Sequence, residues 1–262
     1  MLDLTRYEAR RRVRGTLVLA VLLGLFGLLV VNVYPSIAES TAEIDALLDN
    51  FPESFREGFG IQSYATIEGF LSAELYQFIW VLLLGLFMTY SAAGTLASDV
   101  ESGHVHLLLA TPISRAQVVV EEYLSLFVPL VVLNLVMPLF VYGGTLAVDY
   151  PVDMLDLLAV HAMSVPYLLV CASIGLLLSA SVNRADVAER VGIAVVFLLF
   201  VIETVTVGTD FEWLGSVSPT RYYDPTEILL EETYDLGGAV LLLVVAILLV
   251  LGSLVVFQRR DV

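Results

Sequence analysis

Six stretches of this chain are each apolar for long enough to cross a lipid bilayer, and few folds are compatible with that. They run approximately over Thr16–Tyr34, Glu74–Gly94, Val118–Gly143, Leu155–Ala180, Val191–Gly208 and Gly237–Phe257. A helical crossing needs roughly 20 apolar residues. Inside lipid no water reaches the backbone amides, so only helices and closed barrels satisfy them. Runs such as Leu17–Val31 lack the apolar/polar alternation of a barrel strand. The expected fold is therefore an all-α polytopic membrane protein: a single domain over residues 1–262 with six transmembrane helices. Composition agrees. The chain is 58% hydrophobic and 15% charged, where a soluble domain averages about 45–50% and about 25%. A soluble enzyme, a disordered chain and a disulfide scaffold are excluded. The single cysteine, Cys171, has no partner for an internal disulfide and reads as a small core residue in the fourth stretch.

Arginine placement gives the orientation. All 12 basic residues are Arg, against 28 Asp plus Glu, for a net charge of −16. Arg6, Arg10, Arg11, Arg12 and Arg14 precede the first stretch. Arg115 lies between the second and third, Arg184 and Arg190 between the fourth and fifth, and Arg259 and Arg260 after the sixth. If six helices alternate, these share one side and only Arg56 and Arg221 face the other. The positive-inside rule then places the N-terminus and C-terminus in the cytoplasm. Most carboxylates, among them Glu39, Asp149, Asp210 and Glu231, fall on the outer side. Tyr34, Tyr142, Tyr150, Tyr222, Tyr223 and Trp213 cluster near the outer boundary, as an aromatic belt does. An acidic, lysine-free chain fits a salt-adapted proteome. It also argues against nucleic acid as a partner, because phosphate binding needs a basic stripe. The first stretch is too long for the apolar core of a cleaved signal peptide.

Four connections carry the remaining signals. Residues 1–15 set Arg6, Arg10 and Arg14 on one helical face, with Glu8 four residues before Arg12. They read as an amphipathic interfacial helix or as a plain topogenic arginine cluster. Residues 36–73 form an outer loop in which Ile44, Leu47, Leu48, Phe51, Phe55 and Phe59 oppose Asp45, Asp49, Glu53 and Glu57. This is an amphipathic helix that Pro52 divides. Residues 95–117 form the longest cytoplasmic loop, with an apolar centre at Leu107–Ala110 and a helix start at Pro112 capped by Thr111. Residues 209–236 form a second outer loop, in which prolines flank Tyr222 and Tyr223.

The polar chemistry is sparse. A phosphate-cradling P-loop needs a lysine, and the chain has none. His104 and His106 are a weak metal signal. His161 reads as packed or hydrogen-bonded. Glu121 and Glu122 are expected at the start of the third helix, facing its dipole. Glu203 stands inside the fifth stretch, and an intramembrane acid is a site candidate. Asn134, between Pro129 and Pro138, suggests a kinked helix with an interhelical hydrogen bond. On these residues alone, three classes stay open: a transport subunit, a membrane-embedded enzyme such as a protease or lipid-modifying enzyme, and a non-transporting scaffold.

The order Ala97-Ser98-Asp99-Val100-Glu101-Ser102-Gly103-His104, leading into Leu107-Leu108-Leu109-Ala110-Thr111-Pro112-Ile113-Ser114-Arg115, resembles the first cytoplasmic loop of ABC transporter permeases of the ABC-2 (type 2 exporter) family. The Ser218-Pro219 pair with Tyr222-Tyr223, and the Phe257-Gln258-Arg259-Arg260 ending, extend the likeness along the chain. His104 stands where that family commonly has Thr, and a Lys common shortly after the Arg is absent. The resemblance implies a permease subunit in the plasma membrane, paired with a second permease as a homodimer or heterodimer. A separate cytoplasmic ABC ATPase would bind ATP and Mg, while this chain binds no cofactor and is not itself an enzyme. Asp99, Glu101, Gly103, His104, Pro112 and Arg115 would form the ATPase-coupling segment. Arg6, Arg10 and Arg14 would lie on the interfacial elbow. Glu203, Asn134, Tyr222 and Tyr223 are candidates for the pathway or its gate. The implied direction is export.

Overall fold

Helix α1 runs unbroken from Asp3 to Ala38 in the computed structural model, which describes residues 3–48, 50–61, 64–105 and 113–260. Its 36 residues rise about 54 Å, well beyond the ~30 Å of a hydrocarbon core. The arginine-rich start, expected as an interfacial element of its own, is continuous with the first apolar stretch. Nothing in the sequence breaks it there. Gly15 costs a helix interior only about 1 kcal/mol, and Pro35 falls near the far end.

Beyond α1, two short helices, α2 (Thr41–Leu48) and α3 (Glu53–Gly58), flank Pro52. The rings of Phe51, Phe55, Phe59 and Phe78 follow one another at centroid spacings of 4.7–5.9 Å. Helix α4 spans Ile67–Glu101, so it begins before the expected Glu74. Thr66 caps its start by accepting from the Gly69 amide at 3.2 Å. Ser72–Leu84 within α4 is wound as a π-helix. After the loop come α5 (Arg115–Ala147), α6 (Met154–Ser181) and α7 (Ala185–Thr206). Two 3-10 turns, Glu212–Val217 and Pro219–Tyr222, lead to α8 (Pro225–Glu231) and α9 (Leu236–Gln258). Asp153, Asp224 and Asp235 cap α6, α8 and α9 by accepting from the Leu155, Thr226 and Gly238 amides at 2.7–2.8 Å.

Among the described residues, α1, α4, α5, α6 and α9 are long and apolar enough to cross a membrane. The expected sixth, α7, is 22 residues long. Its uninterrupted apolar run is confined between Arg190 and Glu203, which removes it from that set.

Helix α6 sits at the centre, with α4 and α9 packed against it; α7 packs on α4, and α1 on α5. Trp80, Tyr76, Met88, Leu133, Met137 and Tyr167 are fully buried between them. The α4–α6 crossing is close enough that a β-carbon on Gly175 would overlap the Thr89 carbonyl. Thr89 Oγ1 donates across it to the Cys171 carbonyl at 2.9 Å. Small residues at the contact let the backbones approach, as apolar helices in lipid require. Cys171 is buried there.

Candidate functional site

At the arginine-bearing end of the bundle, four helix ends are met by charged side chains from distant parts of the chain. The free amides at a helix start carry partial positive charge and the last carbonyls partial negative charge. Buried in the interior, such groups need partners. Glu121, 2% exposed, accepts from the Leu4 and Thr5 amides at the start of α1, both at 3.0 Å. Gln117 Nε2 donates to its other oxygen at 2.7 Å. Glu101 accepts from the Ala185 amide at the start of α7 at 2.9 Å. Arg115 donates to the carbonyls of Phe257 and Gln258, at 3.4 and 3.5 Å, and to that of Arg260, at the end of α9. Arg260 in turn donates to the Ser179 and Ala180 carbonyls at the end of α6, at 3.3 and 3.2 Å, and to Asn183 Oδ1.

Two of these clamps, Glu101 and Arg115, bracket the segment that the resemblance assigns to coupling. Helix α4 ends beside it at Ser102, and Gly103 follows in the left-handed conformation, φ +74°. That conformation favours glycine, and this is the usual helix stop. His104 is exposed. Helix α5 opens at Arg115, with Ser114 Oγ accepting from the Gln117 amide at 3.1 Å. Leu107–Ala110, Thr111, Pro112 and His106 lie outside the described residues, as does Asp49.

Several expectations change. Glu121 and Glu122 do not face the dipole of their own helix. Because α5 begins at Arg115, they stand well inside it, and Glu121 caps α1 instead. Glu8 pairs with Arg11, at 3.5 Å, rather than with Arg12. Arg6, Arg10 and Arg14 are exposed, whereas Glu8 and Arg12 turn toward the bundle. There they line a polar cavity of about 370 Å³ with Asp99, Glu122 and Glu189. The capping roles of Glu121 and Arg260 went unseen because their partners lie 117 and about 80 residues away. The pairing of a buried acid with a distant helix start leaves no local pattern.

The opposite end carries the other candidates. Glu203 Oε1 lies 3.5 Å from Arg221, which also donates to the Glu212 carbonyl at 3.0 Å and to its carboxylate. Gly215 leaves room for Glu203, since a β-carbon there would overlap Oε2. The hydrogen bond to Glu212 holds the Arg221 guanidinium above its ordinary range. Burial pushes the Asp224 carboxyl up, against hydrogen bonds from Thr226. Tyr223 is buried and donates to the Val160 carbonyl at 3.1 Å. Tyr222 donates to the Ser216 carbonyl at 2.8 Å and borders an apolar groove of about 580 Å³ between α6, α7 and α9. Asn134 joins α5 to α6: its Oδ1 accepts from Ser164 at 3.0 Å and its Nδ2 donates to the Leu130 carbonyl at 2.8 Å. His161 Nε2 is 3.2 Å from the Tyr76 hydroxyl. Asn134 and His161 are therefore interior hydrogen-bonding groups, with partners other than Glu203 and Arg221.

Comparison with known proteins bears on both ends. A family described as "ABC-2 family transporter protein" matches residues 3–262. A protein of Bacillus subtilis (strain 168), named only as the uncharacterized protein YhcI, is 26% identical over 214 residues. That alignment covers 70% of this chain and 66% of the relative, so the chain spans just under two thirds of the relative's length.

Proposed function

The chain belongs to the ABC-2 transporter family, and from that membership we propose that it is the membrane-spanning permease subunit of an ATP-binding cassette transporter. In this reading α7 is the sixth span, both termini lie in the cytoplasm, and the membrane is the plasma membrane. A second permease, identical or homologous, completes the pathway. A cytoplasmic ATPase binds ATP and Mg and drives export; with no lysine in the sequence, this chain supplies no P-loop of its own.

The observation that carries the coupling is the pair of clamps around residues 102–114. Glu101 holds the start of α7, and Arg115 holds the end of α9. A displacement of this connection by an ATPase is therefore passed to two helices besides the two it joins, α4 and α5. Through Arg260 it reaches α6 as well. The ATPase biases the pathway by holding this connection differently in its open and closed states. Gly103 supplies the stop that lets the connection leave α4 sharply.

The test is to reconstitute the permease with its ATPase and compare Arg115→Glu with the unaltered chain. Reversal of the charge sets a carboxylate against the carbonyls that end α9. Transport should fall at least tenfold while ATP hydrolysis and membrane insertion persist. Full transport at the normal ratio of cargo to ATP would refute the assignment.

A further inference from the structure

The cavity at the arginine-bearing end holds a carboxyl and a guanidinium that the protein leaves apart. It lies between α1, α4, α5 and α7, with a volume of about 370 Å³. Glu122 is 3% exposed and lines the cavity. Among the described residues its carboxylate receives no hydrogen bond and joins no ion pair. Arg12 lines the same space. Its Nε is buried with no acceptor, although Glu122 and Glu8 act on it electrostatically. Folding normally closes such groups on each other, because a buried polar or ionic group without a partner is costly. Here they face one cavity and do not meet.

The remaining walls narrow the occupant. Glu8, Asp99 and Glu189 add negative charge, and Arg11 adds positive charge. Four carboxylates against two guanidiniums disfavour a simple anion. Among the described residues no three His, Cys, Asp or Glu converge as metal ligands. The hydroxyls of Thr95 and Ser98 already donate to backbone carbonyls, at 2.8 and 3.0 Å. What is missing is an N–H donor for Glu122 and an acceptor for Arg12, within one small molecule or headgroup.

We infer that this cavity binds a zwitterion carrying a primary ammonium and an oxyanion, with the ammonium on Glu122 and Asp99 and the oxyanion on Arg12 and Arg11. Ethanolamine phosphate has this chemistry, either as a lipid headgroup or in a soluble ester. A quaternary ammonium lacks the N–H that Glu122 needs. The inference stands on the cavity alone; only its placement at the cytoplasmic leaflet rests on the orientation proposed above.

The test uses the purified full-length chain without any ATPase, so its outcome is independent of transport. Thermal shift and native mass spectrometry would compare phosphatidylethanolamine, phosphatidylcholine and phosphatidylglycerol in mixed micelles, and soluble glycerophosphoethanolamine. The ethanolamine lipid should be retained at least tenfold over the other two. If the soluble ester binds as well as the lipid, the source is the free zwitterion; if only the lipid binds, it is the headgroup. Glu122→Gln should remove the preference. It takes a lone carboxylate out of the interior, so the protein should fold. Arg12→Gln, the second variant, should weaken retention of the ethanolamine compounds at least fivefold. Equal retention of all three lipids with no binding of the soluble ester, or an unchanged preference in Glu122→Gln, would overturn the inference. The second result would mean that Glu122 simply holds a proton.

Discussion

Glu121 takes up two amides in the first turn of α1, those of Leu4 and Thr5, with one oxygen, while Gln117 holds the other. A buried carboxylate accepting charge-assisted bonds at a helix start contributes about 2 kcal/mol. Glu121→Ala should therefore lower the thermal midpoint in detergent by several degrees, and Glu121→Gln by less. An unchanged midpoint in the alanine variant would show that α1 is held by its apolar contacts alone. Asp224 behaves differently. Its folded carboxyl titrates above the unfolded value because it is buried. The stability it contributes is therefore complete below the unfolded pKa of about 3.9 and is lost as pH rises through the folded value. Asparagine keeps the cap on the Thr226 amide but does not ionise. As pH rises above about 4, the midpoint of the parent should fall relative to that of Asp224→Asn; parallel profiles would contradict this. At this scale the sequence was only partly legible. Asp153, Asp224 and Asp235 each stand just before the helix they cap, and a local reading finds such residues. Glu121, Arg115 and Arg260 each serve a helix end far along the chain, and only packing brings them there.

Elements were more legible than residues, for a physical reason. Lipid leaves a chain few choices, so apolar length alone places α1, α4, α5, α6 and α9. Where the helices stop was not legible. Polar residues continue a helix beyond the bilayer at little cost, so α1 extends back through the arginines to Asp3 and α4 back to Ile67. The π-winding over Ser72–Leu84 has no signature in the apolar pattern. The charges at both ends of α7 explain why it reads as a span by eye and falls short by composition. At the α4–α6 crossing the backbones touch at Gly175. Gly175→Val should cost about 1–3 kcal/mol by overpacking and shift the unfolding midpoint down accordingly. Gly143, with open space around its α-carbon, is the matching control: valine there should cost about 1 kcal/mol at most. Equal midpoints for the two variants would mean that the crossing is looser than the geometry says.

Over the whole molecule, charge and mechanics divide between the two ends. One end carries ten of the 12 arginines in the sequence, and the clamps there tie the start of α1 and the end of α9 to α5, the start of α7 to α4, and the end of α6 to α9. The other end carries the acidic loops and the Arg221 cluster with Glu203 and Glu212. The proposed function requires the first of these ends to face the cytoplasm and to meet an ATPase at residues 102–114. His104 is exposed on that segment, and the native Cys171 is buried. A His104→Cys variant therefore offers one reactive thiol. Labelling it with a membrane-impermeant maleimide, in vesicles of each orientation and with or without the ATPase, tests the account most directly. The thiol should react only from the cytoplasmic side and be protected at least tenfold when the ATPase is bound. Reaction from the external side, or reactivity that the ATPase leaves unchanged, would contradict it.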